Sequence, residues 1–208
     1  MRTYLRTYIT VLIVATLAIV PFPTPRSIFG VSAGFPRATV LGYEREAFGQ
    51  GWAELGHGCT TRTAALVSAF GSATAGGPAA ADCLTPRDVT IPGPYTGEPI
   101  TPSDVQLDHV LPLAAAWDLG AYRWDERTRV AFANDPRNLI VVAGWANQEK
   151  SDQLPSEWMP PARRQRCAYA HRLAEVARVY ELALPPADLR AMRRACGGFS
   201  GIFGAHTM

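Results

Sequence analysis

Four cysteines, Cys59, Cys83, Cys167 and Cys196, constrain the chain most: all follow an apolar N-terminal stretch, they are even in number, and no two are spaced C-x-x-C. That pattern predicts two disulfides formed outside the reducing cytoplasm and argues against a zinc knuckle or a thioredoxin-type redox pair. Three pairings are possible. Pairing Cys59 with Cys83 and Cys167 with Cys196 is favoured, because each pair then brackets one local segment. The stretch ahead of the cysteines reads as an export signal. Arg2 and Arg6 precede an almost wholly apolar run from Tyr8 to Val20, which is short for a membrane span, and Pro21, Pro23 and Pro25 end it. Val31-Ser32-Ala33 offers a cleavage point. An uncleaved N-terminal anchor on the outer face of the cytoplasmic membrane is the alternative to secretion.

The expected organisation is residues 1–33 as signal or anchor, 34–39 as linker, 40–200 as one domain and 201–208 as a tail. With 48% hydrophobic residues the domain has enough apolar surface to build a core. The formal charge of +2 gives no argument for a polyanionic partner: the leader carries Arg2, Arg6 and Arg26 and no acid, so losing those three leaves −1. A local basic run does remain at Arg163, Arg164, Arg166, Arg172 and Arg178, continued by Arg190, Arg193 and Arg194. It faces either phosphates or plain solvent.

Within the domain a short helix is expected around Arg62 to Phe70, followed by a loop of Gly, Ala and Ser from Gly71 to Ala81. Turns follow at Pro92, Gly93, Pro94 and Gly97. Val105, Leu107 and His109 alternate with Gln106 and Asp108, as in a half-buried strand. Pro112 starts a helix that Gly120 ends, and Asp125 caps a second one through Phe132. Leu139 to Val142 is a second, β-branched strand, broken by Gly144 before a short helix from Trp145 to Ser151. Tyr169, Leu173, Val176 and Tyr180 form one apolar helical face, and Pro185-Pro186 opens a last helix to Cys196.

This order of strand, strand and helix places Asp108 and His109 on the first strand, Asn138 before the second, and Asn147 and Lys150 one turn apart on the helix. Such residues suit phosphodiester hydrolysis. A neutral imidazole, His109, is placed to deprotonate water near physiological pH. Asp108 and Asn147 are oxygen ligands for a hard divalent cation, Mg²⁺ first and Mn²⁺ as alternative. Asn138 is expected to orient His109. Lys150, the sole lysine of the chain, is expected to bind a phosphate, and Arg62 is a further phosphate-binding candidate, with structural ion pairing as its alternative.

At these residues the sequence resembles the HNH endonucleases, also called ββα-metal or His-Me finger enzymes. In particular it resembles exported actinobacterial proteins of the DUF1524 type, related to the C-terminal domain of modification-dependent restriction enzymes. The resemblance runs from Gly42-Tyr43-Glu44-Arg45-Glu46-Ala47-Phe48-Gly49 and Gly58-Cys59-Thr60-Thr61-Arg62 through Pro94-Tyr95-Thr96-Gly97 and Leu107-Asp108-His109-Val110-Leu111-Pro112-Leu113. It continues through Phe132-Ala133-Asn134-Asp135-Pro136-Arg137-Asn138-Leu139, Asn147-Gln148-Glu149-Lys150-Ser151-Asp152 and Trp158-Met159-Pro160-Pro161. It implies an α+β fold with a small ββα-metal catalytic core surrounded by helices and stapled by disulfides. The middle letter of HNH maps to Asn138 and the last to Asn147. The zinc-binding cysteine pairs of some members are absent.

Taken singly, each of these residues has a plainer reading: Asp-His pairs arise by chance, Asn138 suits a turn and Asn147 a helix surface. The ordered set favours catalysis. His57, His171 and His206 read as structural or solvated. Trp117, Trp124 and Trp158 read as core residues before base-stacking ones. The expected function is an exported nuclease acting on DNA or also RNA. The competing class is a secreted or envelope-associated binding protein on the same fold. A zinc peptidase would want H-E-x-x-H, which is missing.

Overall fold

A strand needs a partner to satisfy its backbone, and the alternating segment finds one 30 residues downstream. In the computed structural model, which describes residues 5–12, 29–71, 83 and 88–197, Val105–His109 pairs antiparallel with Leu139–Ala143. Their register runs from Val105 opposite Ala143 to His109 opposite Leu139. We call these β5 and β6, after two shorter hairpins: Glu54–Gly56 with Cys59–Thr60 (β1, β2) and Ile91–Pro92 with Pro99–Ile100 (β3, β4). Because side chains alternate along a strand, Gln106, Asp108, Ile140 and Val142 share one face, while Val105, Leu107, His109, Leu139 and Val141 share the other.

Six α-helices between residues 61 and 196 accompany this hairpin: α1 (Thr61–Gly71), α2 (Leu113–Leu119), α3 (Glu126–Asn134), α4 (Gly144–Lys150), α5 (Arg166–Val179) and α6 (Pro186–Cys196). The molecule is therefore of mixed α+β class. Local chemistry sets the boundaries. Asp125 accepts the Thr128 amide at 2.8 Å to cap α3, and Gly120 ends α2 at a φ of 135° that strongly favours glycine. The chain passes from β6 into α4 without a loop. The Gly144 amide anchors this junction by donating to Asp104 O at 2.9 Å.

The core lies between the hairpin and the helices. On α5, Tyr169, Leu173 and Val176 are buried on the face expected of them, and the Tyr180 hydroxyl donates to Asp135 Oδ2 at 2.9 Å. Trp158 packs edge-on against Tyr95 and Tyr169, Trp124 against Phe132, and Trp117 beside Phe48 and Tyr43, so all three indoles are packing residues. The disulfides join Cys59 to Cys83 and Cys167 to Cys196.

The segment before residue 40 departs from the expected linker. Phe29 and Val31 are buried in the core, Gly34 N and Leu184 N exchange backbone hydrogen bonds with Leu184 O and Ser32 O, and Arg37 pairs with Asp118 and Asp152. Apolar Phe29 and Val31 are worth more packed than solvated, which draws residues 29–37 onto the domain. Residues 5–12 are helical, and no described helix is long and apolar enough to cross a membrane. The Gly71 to Ala81 loop, save Gly71, and the 201–208 tail lie outside the described residues.

Candidate active site

Two residues apart on β5, Gln106 and Asp108 meet two residues one turn apart on α4. Asn147 Nδ2 donates to Gln106 Oε1 at 2.7 Å, and Lys150 Nζ lies 3.0 Å from Asp108 Oδ1 and 2.9 Å from Oδ2. Strand period and helix period thus bring Asp108, Asn147 and Lys150 to one strand–helix interface. Tyr95 completes it, its buried hydroxyl donating to Asp108 Oδ2 at 2.7 Å. Lys150 is wholly enclosed and also donates to the His109 carbonyl at 2.8 Å.

Burial pushes the Asp108 carboxyl up and the Lys150 ammonium down, and each charge opposes the other's shift. Lys150 is therefore an internal counter-ion and not the open phosphate ligand expected of it. A compact ammonium on a flexible apolar stem fits between a carboxylate and a carbonyl where a planar guanidinium would need more room.

The His109 ring leaves β5 on the opposite face. Its Nε2 is 2.8 Å from Ala133 O at the end of α3, and the Trp52 indole stacks on it with centroids 5.4 Å apart and planes 20° apart. A carbonyl only accepts, so Nε2 must carry the proton; in the neutral ring Nδ1 is then the basic nitrogen. Among the described residues Nδ1 has no protein partner, yet it is not one of their fully buried unpartnered polar atoms, which are Trp117 Nε1 and Tyr169 Oη. Burial lowers the His109 pKa to about 4, against the Ala133 hydrogen bond and with help from Arg45 and Lys150. The ring is 7% exposed. A histidine placed to deprotonate water needs access to it, and the Trp52 indole, which no pattern in the sequence marks, covers most of the ring.

Asn138 is buried and does not touch that ring. Its backbone carbonyl accepts Val110 N at 2.8 Å, its Oδ1 accepts Leu111 N at 2.8 Å, and its Nδ2 donates to Leu111 O at 3.2 Å. It clasps the backbone just after His109, so any orientation it gives is indirect. Arg62, half-buried on the first turn of α1, makes no ion pair or side-chain hydrogen bond among the described residues. The basic run divides in two. Arg166, Arg172 and Arg193 donate to backbone carbonyls, whereas Arg163, Arg164, Arg178, Arg190 and Arg194 stand in solvent.

For a divalent cation the donors present are hard oxygens. Asn147 is bonded through its nitrogen, which leaves Oδ1 without a partner among the described residues. The Asp108 oxygens receive Lys150 and Tyr95 but have lone-pair capacity for another contact. One carboxylate and one amide oxygen fit a cation that keeps most of its waters.

Residues 90–182, which hold β5, β6, α4 and every contact of the Asp108 cluster, match the family described as GmrSD restriction endonucleases, C-terminal domain. The chain is also 34% identical over 200 residues to an uncharacterized secreted protein of Arthroderma benhamiae, covering 91% of this chain and 95% of that one. The chain belongs to the GmrSD C-terminal domain family, within the HNH/DUF1524 group. No solved structure matches it. The matched residues include four of the expected HNH set together with Lys150, and also Tyr95 and Gln106, which carried no assigned role in the sequence. Trp52 and Arg45 lie outside the match.

Proposed function

We propose that the protein is an exported, metal-dependent endonuclease of the HNH type, hydrolysing phosphodiester bonds of DNA and also open to RNA. The observation that carries this reading is the 2.8 Å contact of His109 Nε2 with the Ala133 carbonyl: a carbonyl only accepts, so the neutral ring offers a basic Nδ1, which has no partner among the described residues. In this reading Nδ1 takes the proton of the attacking water. Asp108 and Asn147 would hold a divalent cation, Mg²⁺ or Mn²⁺ in its place, which would supply charge neutralisation at the phosphate and the departing oxygen. Lys150 and Tyr95 hold the Asp108 carboxylate, Lys150 ties it to the His109 backbone, and Asn138 fixes the chain beyond. Arg45, whose charge helps to lower the His109 pKa, and Arg62 on α1 are the phosphate-binding candidates. Export is supported by the disulfides and by the likeness to a secreted protein.

A second reading is favoured by one observation: Trp52 covers His109 and Lys150 closes on Asp108, as in a secreted binding protein that keeps the fold without the chemistry. Plasmid digestion by oxidised, refolded protein with Mg²⁺, Mn²⁺ or EDTA separates the two. Metal-dependent nicking that is lost in His109→Ala supports the enzyme. Binding of DNA without cleavage under every condition would leave only the second reading.

A further inference from the structure

A cavity of about 1360 Å³ opens between α1, β3, β6 and the start of α5. Most of its wall is apolar: Ala64, Ala65, Ile91, Ile140 and Ala168 face it, with the rings of Tyr95 and Tyr169. Its charged side chains are Arg164 and Arg172, and no aspartate or glutamate lines it among the described residues. Arg172 is already committed, donating to the carbonyls of Pro136, Arg137 and Leu139. Arg164 is exposed and has no ion-pair or hydrogen-bond partner among the described residues. An apolar chamber with one free cation at its rim selects a ligand with a flat or apolar body and an anionic group.

The position of this cavity narrows the ligand. Tyr95 forms part of the wall and hands its hydroxyl to Asp108, and Val110, also in the wall, follows His109 directly. Ser68 and Gln165 add hydroxyl and amide groups whose side chains have no hydrogen-bond partner among the described residues, suited to the polar edge of a heterocycle and wasted on an alkyl chain. Resting on the nuclease reading above, we infer that the cavity is a nucleotide subsite. It takes one unstacked base of the substrate strand between its apolar walls and sets the attached phosphate on Arg164, with Tyr95 linking the occupied subsite to Asp108.

Titration of the oxidised protein with deoxynucleoside 5′-monophosphates in EDTA tests the subsite without turnover. The monophosphates should bind more tightly than the matching deoxynucleosides or inorganic phosphate alone. Arg164→Ala should weaken the monophosphates about tenfold, the scale of one charge-assisted contact, and leave the deoxynucleosides unchanged. Ala168→Phe, which fills the chamber from the half-buried start of α5, should weaken both, with circular dichroism and thermal unfolding reporting that it folds. Decanoate serves as the competing probe. Binding of decanoate but not of nucleotides, binding unaffected by both variants, or no binding at millimolar nucleotide would each overturn the subsite. Plasmid cleavage without nucleotide binding removes this inference and leaves the nuclease reading; nucleotide binding without cleavage does the reverse.

Discussion

Lys150 holds Asp108 through both carboxylate oxygens, at 3.0 and 2.9 Å, and the same nitrogen donates to the carbonyl of His109, the next residue on the strand. An enclosed pair of this kind is costly to break from one side, because the remaining charge is left in an apolar interior. Lys150→Met should destabilise the fold by about 3–5 kcal/mol. Replacing both partners, as in Asp108→Leu with Lys150→Met, should recover most of that loss, since the desolvation cost disappears with the charges. Urea unfolding of the single and double variants measures both. A single variant as stable as the parent would mean that the pair is not buried in solution.

Acid should unfold the protein partly through His109. Its folded pKa of about 4 lies below the ordinary 6.5, so between those values the unfolded chain binds more protons than the folded one, and stability rises with pH across that window. The contribution is fully present above about pH 6.5 and is lost as pH falls to about 4, amounting to roughly 3 kcal/mol. Urea midpoints from pH 7 to pH 4 should show the fall. In His109→Leu that part of the slope should vanish. Trp52→Ala, which admits water to the ring, should flatten it part-way. An unchanged slope in both variants would assign the acid lability to other groups.

Both disulfides close loops of moderate length, with separations of 24 and 29 residues. In the chain-entropy account each constrains the unfolded state by about 3–4 kcal/mol. Paired serine substitutions at Cys167 and Cys196, which tie the start of α5 to the end of α6, should lower the unfolding temperature without changing the Asp108 cluster. Peptide mapping under non-reducing conditions checks the pairing directly, and a peptide linking Cys59 to Cys167 would contradict it.

Much of this was legible in the sequence because it is local. Pro112 and Gly120 mark α2, Asp125 marks the start of α3, and the alternation around Leu107 marks β5; in each case the signal and its cause lie within one turn or one strand. The disulfide pairing followed from the same short spans. What the sequence did not reveal depends on long-range contact. Lys150 reads as a surface cation until α4 is laid on β5, and His109 reads as open until Trp52, 57 positions earlier, folds across it. The two-residue strands carry too little periodicity to read at all. Asn138 was marked by the family pattern, yet its bonds go to the backbone of Leu111, a distinction that residue type alone cannot make.

If the protein is exported with its leader removed, its new N-terminus should lie before Phe29 and not after Ala33. Phe29 and Val31 are 7% and 3% exposed, and removing two such side chains from a core costs roughly 1.5–3 kcal/mol each. Cleavage after Ala33 would also take Ser32 from the Leu184 backbone. A protein starting at Phe29 should therefore melt higher than one starting at Gly34. N-terminal sequencing of secreted material gives the natural start, and equal melting temperatures would show that residues 29–33 do not hold to the domain.

Activity variants test how the work is divided across the two faces of β5. If His109 Nδ1 is the base, His109→Ala should lower the cleavage rate by about 10²–10⁴-fold, the usual scale for general-base loss. Asp108 and Asn147 serve a different role, so their variants should differ in kind. Asp108→Asn should lose metal-dependent cleavage, because a neutral amide beside the Lys150 ammonium cannot offset a second cation. Asn147→Asp supplies one more anionic oxygen where an unpartnered amide oxygen stands, and should retain partial activity with a lower Mn²⁺ or Mg²⁺ requirement. The discriminating measurement is the metal concentration at half-maximal rate, taken beside the maximal rate. His109→Ala should change the maximal rate alone, whereas Asn147→Asp should move the metal dependence. If Asn147→Asp leaves that dependence where the parent has it, Asn147 is no ligand, and its bond to Gln106 is structural.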